Sequence, residues 1–249
     1  LLLKDHVNLI IANSEATRKN LISLNFNKEK IKVHYPGISI KNIEKSSEEM
    51  IPEEIKKKFC GSFIIGSSGN VHERKGVSDF LLLPKIIDKL LPMNSFKYIW
   101  VGKVSNRDII NFDIKNSGLE GKVEFIGEME NPFPYYKLFD VFVSCSKEES
   151  FGLSAVECAV LKKPIICYKK TGGLEEIASN SGNICVDYKD IMQMAKEIIQ
   201  LKNDPERIKN LGLSGYSMAE KFDNQIILPN MLYDLQNLFE NENFSFKKI

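Results

Sequence analysis

The sequence lacks the features that membrane-spanning, nucleic-acid-binding and metal-binding proteins require. No apolar run in its 249 residues is long enough to cross a bilayer, which takes about 20 residues. The formal net charge is only +1, whereas a nucleic-acid surface needs a clear basic excess. The three histidines are not clustered and no C-x-x-C pair occurs, so we expect no structural metal. A hydrophobic content of 43% and a charged content of 27% are typical of a soluble globular protein.

The cysteines are few, odd in number and scattered through apolar patterns. They are Cys60, Cys145, Cys158, Cys167 and Cys185. We expect five buried, reduced thiols in a cytoplasmic protein, because disulfides are rare in reducing compartments. No signal-peptide pattern is recognisable in the sequence, which begins without Met, in mid-pattern, at Leu1. We therefore interpret it as a fragment of a longer protein.

One stretch, from Ser146 to Ala159, organises the chain. It lies between the apolar runs 140–144 and 164–167, so the pattern predicts strand, loop, helix, strand, which is a βαβ unit. Gly152 allows close approach of a ligand, and the free amides of Gly152, Leu153 and Ser154 favour a phosphate at the helix start. We expect Leu153, together with residues 156, 159 and 160, to pack on the sheet.

Two carboxylates bracket this predicted anion site, Glu149 before the turn and Glu157 about one helical turn inside. A carboxylate is a poor phosphate ligand but a good acceptor for sugar hydroxyls. The sequence therefore indicates a hexose on Glu149 and a ribose on Glu157, with a diphosphate between them on the amides. The alternative is an ordinary crossover with solvated glutamates, which the residues alone do not exclude.

The segment from Glu149 to Glu157, with Ser-Phe-Gly-Leu between, resembles the Glu-x7-Glu signature of the group 1 retaining glycosyltransferases (family 4, GT-B architecture). The resemblance extends over nearly the whole chain. It implies that the donor lies along Glu149, Phe151, Gly152, Leu153 and Glu157. It also implies that Glu149 positions the sugar as a catalytic residue.

The loop from Ser67 to Gly76 resembles the basic phosphate-binding loop of the same family. The family has an arginine and then a lysine before glycine, both facing the donor diphosphate. Lys75 matches the lysine, which makes it the second predicted catalytic residue, but Asn70 stands at the arginine position. Arg74 is the candidate replacement for that charge, and the alternative is that Arg74 is a surface residue.

Two further segments resemble the walls of the family's donor site. The stretch "VEFIGEM" resembles the wall beside the base, where main-chain groups of Ile126 and Gly127 would contact a uracil edge. Independently of the resemblance, the predicted strand from Phe96 ends at Gly102, a glycine where a ligand could approach. The turn Thr171-Gly172-Gly173-Leu-Glu-Glu resembles the family's "GG-x-x-E" turn beside the donor. For this turn the alternative is a simple tight β-to-α connection.

Strands that alternate with helices predict an α/β fold, a Rossmann-like open parallel sheet with helices on both faces. By resemblance this is the C-terminal half of a GT-B fold. Residues 1–45 are predicted to be a remnant of the N-terminal acceptor lobe with its connector, 46–222 the nucleotide-sugar domain, and 223–249 a crossover helix and tail. Within these, 39–51 is predicted to be a polar linker, and Pro84 should kink or break the helix 77–91.

The resemblance implies a retaining glycosyltransferase that transfers a hexose from a nucleotide-diphosphate sugar, most often a UDP-sugar, to a glycan or lipid-linked acceptor. Such an enzyme of polysaccharide biosynthesis needs no cofactor or metal here and no nucleic acid. We expect a cytoplasmic protein with peripheral contact at the inner face of the membrane. Two alternatives remain open, a GT-B sugar-nucleotide 2-epimerase and a non-catalytic sugar-nucleotide-binding module.

Overall fold

The computed structural model describes residues 7–93 and 95–241, which contain eight strands and eleven α-helices. The strands are β1 (Ile10–Ala12), β2 (Ile31–Val33), β3 (Phe63–Ser68), β4 (Phe96–Val101), β5 (Val123–Gly127), β6 (Val141–Ser144), β7 (Ile165–Tyr168) and β8 (Ile184–Val186). The helices are α1 (Glu15–Ser23), α2 (Ile40–Ser46), α3 (Glu53–Phe59), α4 (Val77–Leu90), α5 (Arg107–Asn116), α6 (Phe133–Leu138), α7 (Leu153–Val160), α8 (Gly173–Asn180), α9 (Ile191–Lys202), α10 (Pro205–Ala219) and α11 (Asn224–Asn241).

Six parallel strands form the main sheet, in the order β5-β4-β3-β6-β7-β8. Counted from β3, this is the order 3-2-1-4-5-6 of a Rossmann fold, in which the winding reverses between the first and fourth strands. Neighbouring residues of β3 face opposite sides, because Ile64 belongs to one buried cluster and Ile65 to the other. Helices therefore cover both faces of the sheet, and the predicted fold class is confirmed.

Two details of the sequence prediction are wrong. The predicted linker 39–51 contains α2, because Ile40 and Ile43 lie three residues apart on one helical face and are both buried against neighbouring helices. The predicted break at Pro84 does not occur, since α4 continues through it to Leu90. Pro84 removes one helical hydrogen bond, while the buried side chains around it hold the helix on the sheet.

The cysteines divide into two groups. Cys145, Cys158 and Cys167 are buried as expected, but Cys60 is exposed and Cys185 is half-buried. Cys60 directly follows α3 at the start of a turn, and Cys185 lies on β8, which forms an edge of the sheet. The expectation of five buried thiols is therefore wrong for these two residues.

The N-terminal segment packs on the main body through α8 and α11. β1 and β2 form a separate parallel pair, and α1 contacts α8. Asp234 of α11 accepts a hydrogen bond from Lys32, and its Oδ2 lies 3.0 Å from His34 Nε2. Ile38 exchanges main-chain hydrogen bonds with both flanks of Asp223, at 2.9 and 2.7 Å. The domain boundaries at 45 and 222 stay predictions, and the predicted tail beyond residue 241 lies outside the described residues.

The region predicted to contain a crossover helix holds α11, and this helix bears several exposed apolar side chains. These are Ile226, Leu228, Leu232 and Tyr233. None of the described helices combines the length and the apolar content that crossing a bilayer requires.

Candidate functional site

The loops that follow β3 and β6 meet at the point where the winding of the sheet reverses. Open α/β sheets bind ligands at this place, outside the carboxyl ends of the strands. The Arg74 carbonyl accepts a hydrogen bond from the Lys147 amide at 2.8 Å, and Arg74 Nη1 donates to the Glu148 carbonyl, also at 2.8 Å. The two loops that sequence reasoning selected are therefore fastened to each other.

The two predicted catalytic residues touch. The Lys75 ammonium donates a hydrogen bond to a carboxylate oxygen of Glu149 in an ion pair whose side chains are 17% and 13% exposed. The Glu149 amide donates to the Thr171 carbonyl at 2.7 Å, and Glu149 pairs with Gly172 in a single parallel β-bridge. Glu149 is thus held from both sides, by its own main chain and by Lys75. An anionic ligand that binds Lys75 therefore competes with the Glu149 carboxylate for the Lys75 ammonium.

Glycine is required at two turns of the site. Gly76, the residue after Lys75, has φ +73°, and a Cβ there would stand 1.9 Å from the Cys145 carbonyl oxygen. Gly152 has φ +95° and directly precedes α7, whose first amides have no partner within the helix. The positive end of α7 therefore begins three residues after Glu149, the carboxylate of the ion pair.

Two residues of the central motif lie differently from what their predicted roles suggest. Leu153 is 44% exposed, so the expectation that it packs on the sheet is wrong, while residues 156, 159 and 160 are buried as predicted. As the first residue of α7, Leu153 leans over the turn before it rather than onto the sheet. Phe151 is 2% exposed and packs on the rings of Tyr35 and Phe222, so only its main chain is available to a substrate.

Glu157 is a half-buried carboxylate with a raised pKa. Loss of hydration raises the pKa of Glu157 to about 7, and among the described residues its carboxylate has no hydrogen-bond partner. It lies near Tyr136, whose hydroxyl pairs with Ser68 at the end of β3 and whose pKa is raised by burial and by the charges of Cys158 and Glu157. Sequence reasoning missed Ser68 and Tyr136, because nothing in their local sequence distinguishes them. Near neutral pH the Glu157 carboxyl therefore exchanges between a protonated and a charged form, and the charged form accepts hydroxyl donors.

The ends of β4 and β5 form the opposite wall of the site. The Gly102 amide donates to the Gly127 carbonyl at 2.8 Å, which ties the two strand ends together. The register between β4 and β5 shifts by one residue at this point. Trp100 pairs with Phe125 but Val101 pairs with Gly127, and this bulge leaves the main chain of Ile126 without a partner on β4. That main-chain groups of Ile126 and Gly127 face a ligand stays a prediction.

Arg107, the first residue of α5, lies on the same wall and was missed by sequence reasoning. Its Nη1 donates to the Phe125 carbonyl at 3.3 Å, and its Nη2 is 3.0 Å from where a Cβ of Gly127 would stand. The available signal was its position, since the first residue of a helix that follows a parallel strand lies at the ligand-binding edge.

Position 70, where the family that the sequence resembles has an arginine, carries no charge in this chain. Asn70 is exposed, and its side chain makes no hydrogen bond to any residue in the described part of the chain. Arg74, the candidate replacement, is exposed and directs its guanidinium to the Glu148 carbonyl. Asn70 and Arg74 are therefore both exposed, and of the two cations of this loop, Arg74 and Lys75, only Lys75 pairs its charge with Glu149.

A cavity of about 680 Å³ adjoins the site between α1 and α8. Its lining includes Gly172, the β-bridge partner of Glu149, and it also includes Glu176. Glu176 accepts hydrogen bonds from the Ala16 amide at 3.1 Å and from the Tyr35 hydroxyl, and burial raises the pKa of Tyr35. The glycine turn before α8 therefore links the central motif to the N-terminal segment.

The described residues contain no group of three or more His, Cys, Asp or Glu side chains that could hold a metal ion. The expectation that the site works without a metal stays a prediction.

Sequence comparison identifies relatives over most of the chain. Residues 50–218 match the family described as "Glycosyl transferases group 1". The capsular polysaccharide biosynthesis glycosyltransferase CapM of Staphylococcus aureus is 27% identical over 225 residues, which cover 88% of this chain and 58% of CapM. The chain thus spans less than two thirds of this curated relative.

Solved structures show the same fold. HepE from Anabaena, in complex with UDP and glucose, superposes with a TM-score of 0.77 at 22% identity, covering 92% of this chain and 63% of HepE. TarM of S. aureus, in complex with fondaparinux, alpha-GlcNAc-glycerol and UDP, gives a TM-score of 0.76 at 25% identity, covering 95% of this chain and 45% of TarM.

Proposed function

The chain belongs to the group 1 glycosyltransferases, and from that premise we propose that it forms the donor-binding part of a retaining hexosyltransferase that uses a UDP-sugar. The observation that carries this proposal is the Lys75–Glu149 ion pair, whose carboxylate lies in the loop that leads into α7. Relatives support the nucleotide and the process, because CapM is named for capsular polysaccharide biosynthesis and HepE and TarM are described with UDP.

Each part of the donor has a matching group in the site. Lys75 and the amides of Gly152 and Leu153 neutralise the diphosphate as it departs. Glu149 accepts hydroxyls of the hexose, and Glu157 accepts those of the ribose. Main-chain groups of Ile126 and Gly127 contact the base, and Arg107 adds donors that suit the carbonyl oxygens of a uracil.

The reaction exchanges one bond at the anomeric carbon of the sugar. The bond to the diphosphate oxygen breaks, and the acceptor hydroxyl forms its bond on the same face, so the configuration is retained. The acceptor proton passes to the departing diphosphate, which is the base on that face. Because no side chain acts as a nucleophile, the protein contributes position and charge, through Lys75 and Glu149.

The acceptor in this proposal is a glycan or a lipid-linked glycan, and the enzyme works without a metal ion. A cytoplasmic location with peripheral contact at the inner face of the membrane stays a prediction.

One observation favours a second candidate function. Asn70 is uncharged and stands where the family that the sequence resembles has the arginine that faces the diphosphate. The guanidinium of Arg74, the candidate replacement, donates its hydrogen bond to the Glu148 carbonyl. A non-catalytic module that binds sugar nucleotides needs less charge stabilisation than an enzyme does. The two candidates differ in turnover rather than in binding.

The donor proposal is tested by calorimetric titration of the chain with UDP, GDP and ADP. We expect saturable binding of UDP that Lys75→Met weakens about 10- to 100-fold, because one charge-assisted contact is worth about 1.5–3 kcal/mol. Lys147→Met is the matched control, since Lys147 lies on the facing loop and pairs with the exposed Glu73. The absence of saturable binding to all three nucleotides would contradict the proposal. Binding without release of UDP from UDP-hexoses would favour the module.

Binding of UDP should depend on pH through Glu157. The raised pKa of about 7 means that the folded protein holds a proton on Glu157 that the unfolded chain would lose near pH 4.5. The stability that this proton confers is present below pH 4.5 and is lost as pH rises through about 7. Ribose hydroxyls bind the charged carboxylate more strongly than the protonated form, so binding favours release of the proton. We expect UDP affinity to rise about tenfold from pH 6 to pH 8.

The pH series is made with Glu157→Gln as the matched variant, because UDP itself titrates near pH 6 and contributes equally to both proteins. We expect the variant to bind UDP more weakly and to lose the part of the pH dependence that belongs to Glu157. Identical pH profiles for the two proteins would show that Glu157 does not accept the ribose hydroxyls.

A further inference from the structure

Two thiols lie side by side at the edge of the main sheet, away from the residues assigned to the donor. Cys167 of β7 and Cys185 of β8 are direct register partners on neighbouring parallel strands. Their Sγ atoms are 3.8 Å apart. Partners on adjacent strands have Cα atoms about 4.8 Å apart, and this separation lies inside the range of about 4.4–6.8 Å that disulfides span. Both side chains project from the same face of the sheet.

We propose that Cys167 and Cys185 form an oxidation site, in which Cys185 reacts with a peroxide and Cys167 then closes a disulfide between β7 and β8. The geometry separates the two roles, because Cys167 is fully buried whereas Cys185 is half-buried on the edge strand. Only Cys185 can meet a peroxide from solvent. Cys167 is the nearest thiol and can resolve the product before a second oxidant arrives.

The surroundings of the pair favour the same division. The hydrogen bond with Cys167, then that with Ser179 and the charge of Lys169, lower the pKa of Cys185 to about 7 against the effects of burial and of Glu175. The bond with Cys185 and burial raise the pKa of Cys167 well above its usual range. Together with its exposure, this makes Cys185 the thiol of the pair that ionises more readily.

The chemistry balances with one peroxide for each pair. The Cys185 thiolate attacks one peroxide oxygen, the O–O bond breaks, and the departing hydroxide takes a proton to become water. This leaves a sulfenic acid on Cys185. Cys167 sulfur then attacks Cys185 sulfur, and the hydroxyl departs with the Cys167 proton as a second water. The two sulfurs lose two electrons in total, and the peroxide gains them.

The cysteine pair is connected to the loop that carries Glu149. β7 runs directly into Lys169, Lys170 and Thr171, and the Thr171 carbonyl holds the Glu149 amide. Ser179 of α8 lies 3.4 Å from Cys185 Sγ, and α8 begins at the glycine turn that pairs with Glu149. Closure of the disulfide draws Cys185 Sγ toward β7 and away from Ser179.

The experiment exposes the full chain, with Cys60→Ser to remove the exposed thiol, to hydrogen peroxide at neutral pH. We expect the loss of two titratable thiols per chain, a cross-linked peptide pair that contains Cys167 and Cys185, and recovery of both thiols with a dithiol reductant. In Cys167→Ser, Cys185 should remain a sulfenic acid that dimedone traps. In Cys185→Ser, Cys167 should not react.

Two results would overturn the proposal. One is oxidation of Cys185 to the sulfinic acid with no cross-link in the chain that keeps Cys167. The other is full retention of both thiols under conditions that oxidise Cys60 in the unmodified chain. Cys167→Ala replaces Cys167→Ser if the hydroxyl proves too polar for that buried position. None of these readouts requires a donor, so they do not depend on the proposed transferase activity.

Discussion

Glu149→Gln is expected to reduce hexose transfer by about 100- to 1000-fold while UDP binds as well as before or more tightly. The two effects separate because of the ion pair. In the protein described here, Glu149 holds the ammonium of Lys75, which the diphosphate must recruit. Glutamine is nearly the same size but carries no charge, so it releases Lys75 to the phosphate. It also weakens the hydrogen bonds to the hexose.

The measurements are the affinities for UDP and UDP-hexose by calorimetry, and the release of UDP in the presence of a glycan acceptor. We expect the variant to lose most of the advantage that UDP-hexose has over UDP. Glu148→Gln is the matched control, because Glu148 is the adjacent residue, is exposed, and contacts Arg74 through its main chain alone. Transfer within tenfold of normal in Glu149→Gln would exclude a positioning role for this carboxylate.

Gly76→Ala is expected to destabilise the fold by about 3–5 kcal/mol and to abolish UDP binding at ligand concentrations that saturate the unmodified chain. Gly76 adopts a left-handed conformation at φ +73°, and the added Cβ would meet the Cys145 main-chain carbonyl. A backbone atom of the buried residue directly after β6 cannot turn aside as a flexible side chain can. The loop must therefore shift, and Lys75 shifts with it.

Gly61→Ala separates the effect of the collision from that of the conformation. Gly61 has φ +71°, almost the same as Gly76, but nothing lies within 4 Å of its added Cβ. We expect this control to cost about 1–2 kcal/mol, the ordinary penalty for a left-handed residue with a side chain. Urea unfolding of both variants provides the comparison. Equal losses of stability would mean that the contact with Cys145 is relieved without cost.

The fold was largely predictable from the sequence because the core strands are short continuous apolar runs. Residues 141–144 and 165–168 are buried throughout, as strands covered on both faces must be. α2 escaped prediction because only Ile40 and Ile43 mark its buried face within a polar segment. Its helical state depends on neighbours that lie far along the chain, which local composition does not reveal.

The sequence selected several residues of the candidate site one by one, but it did not predict their arrangement. Lys75 and Glu149 were each selected from their own loop, yet their ion pair joins residues 74 positions apart and follows from the strand order. The bulge at Ile126 depends on the register between two strands, so it cannot be predicted from the sequence of either strand alone. The pKa of Glu157 likewise reflects burial, which sequence alone does not measure.

The contacts between the two ends of the described chain impose an order on folding during synthesis. Lys32 and His34 meet Asp234 across about 200 residues, and Ile38 pairs with the residues beside Asp223. The ribosome adds about 5–20 residues each second, so the N-terminal pair of strands waits on the order of ten seconds or more for α11. During that interval α11, one part of its partner surface, does not exist. We therefore expect the contacts of Lys32, His34 and Ile38 with the C-terminal elements to form after the strands of the main sheet have been synthesised.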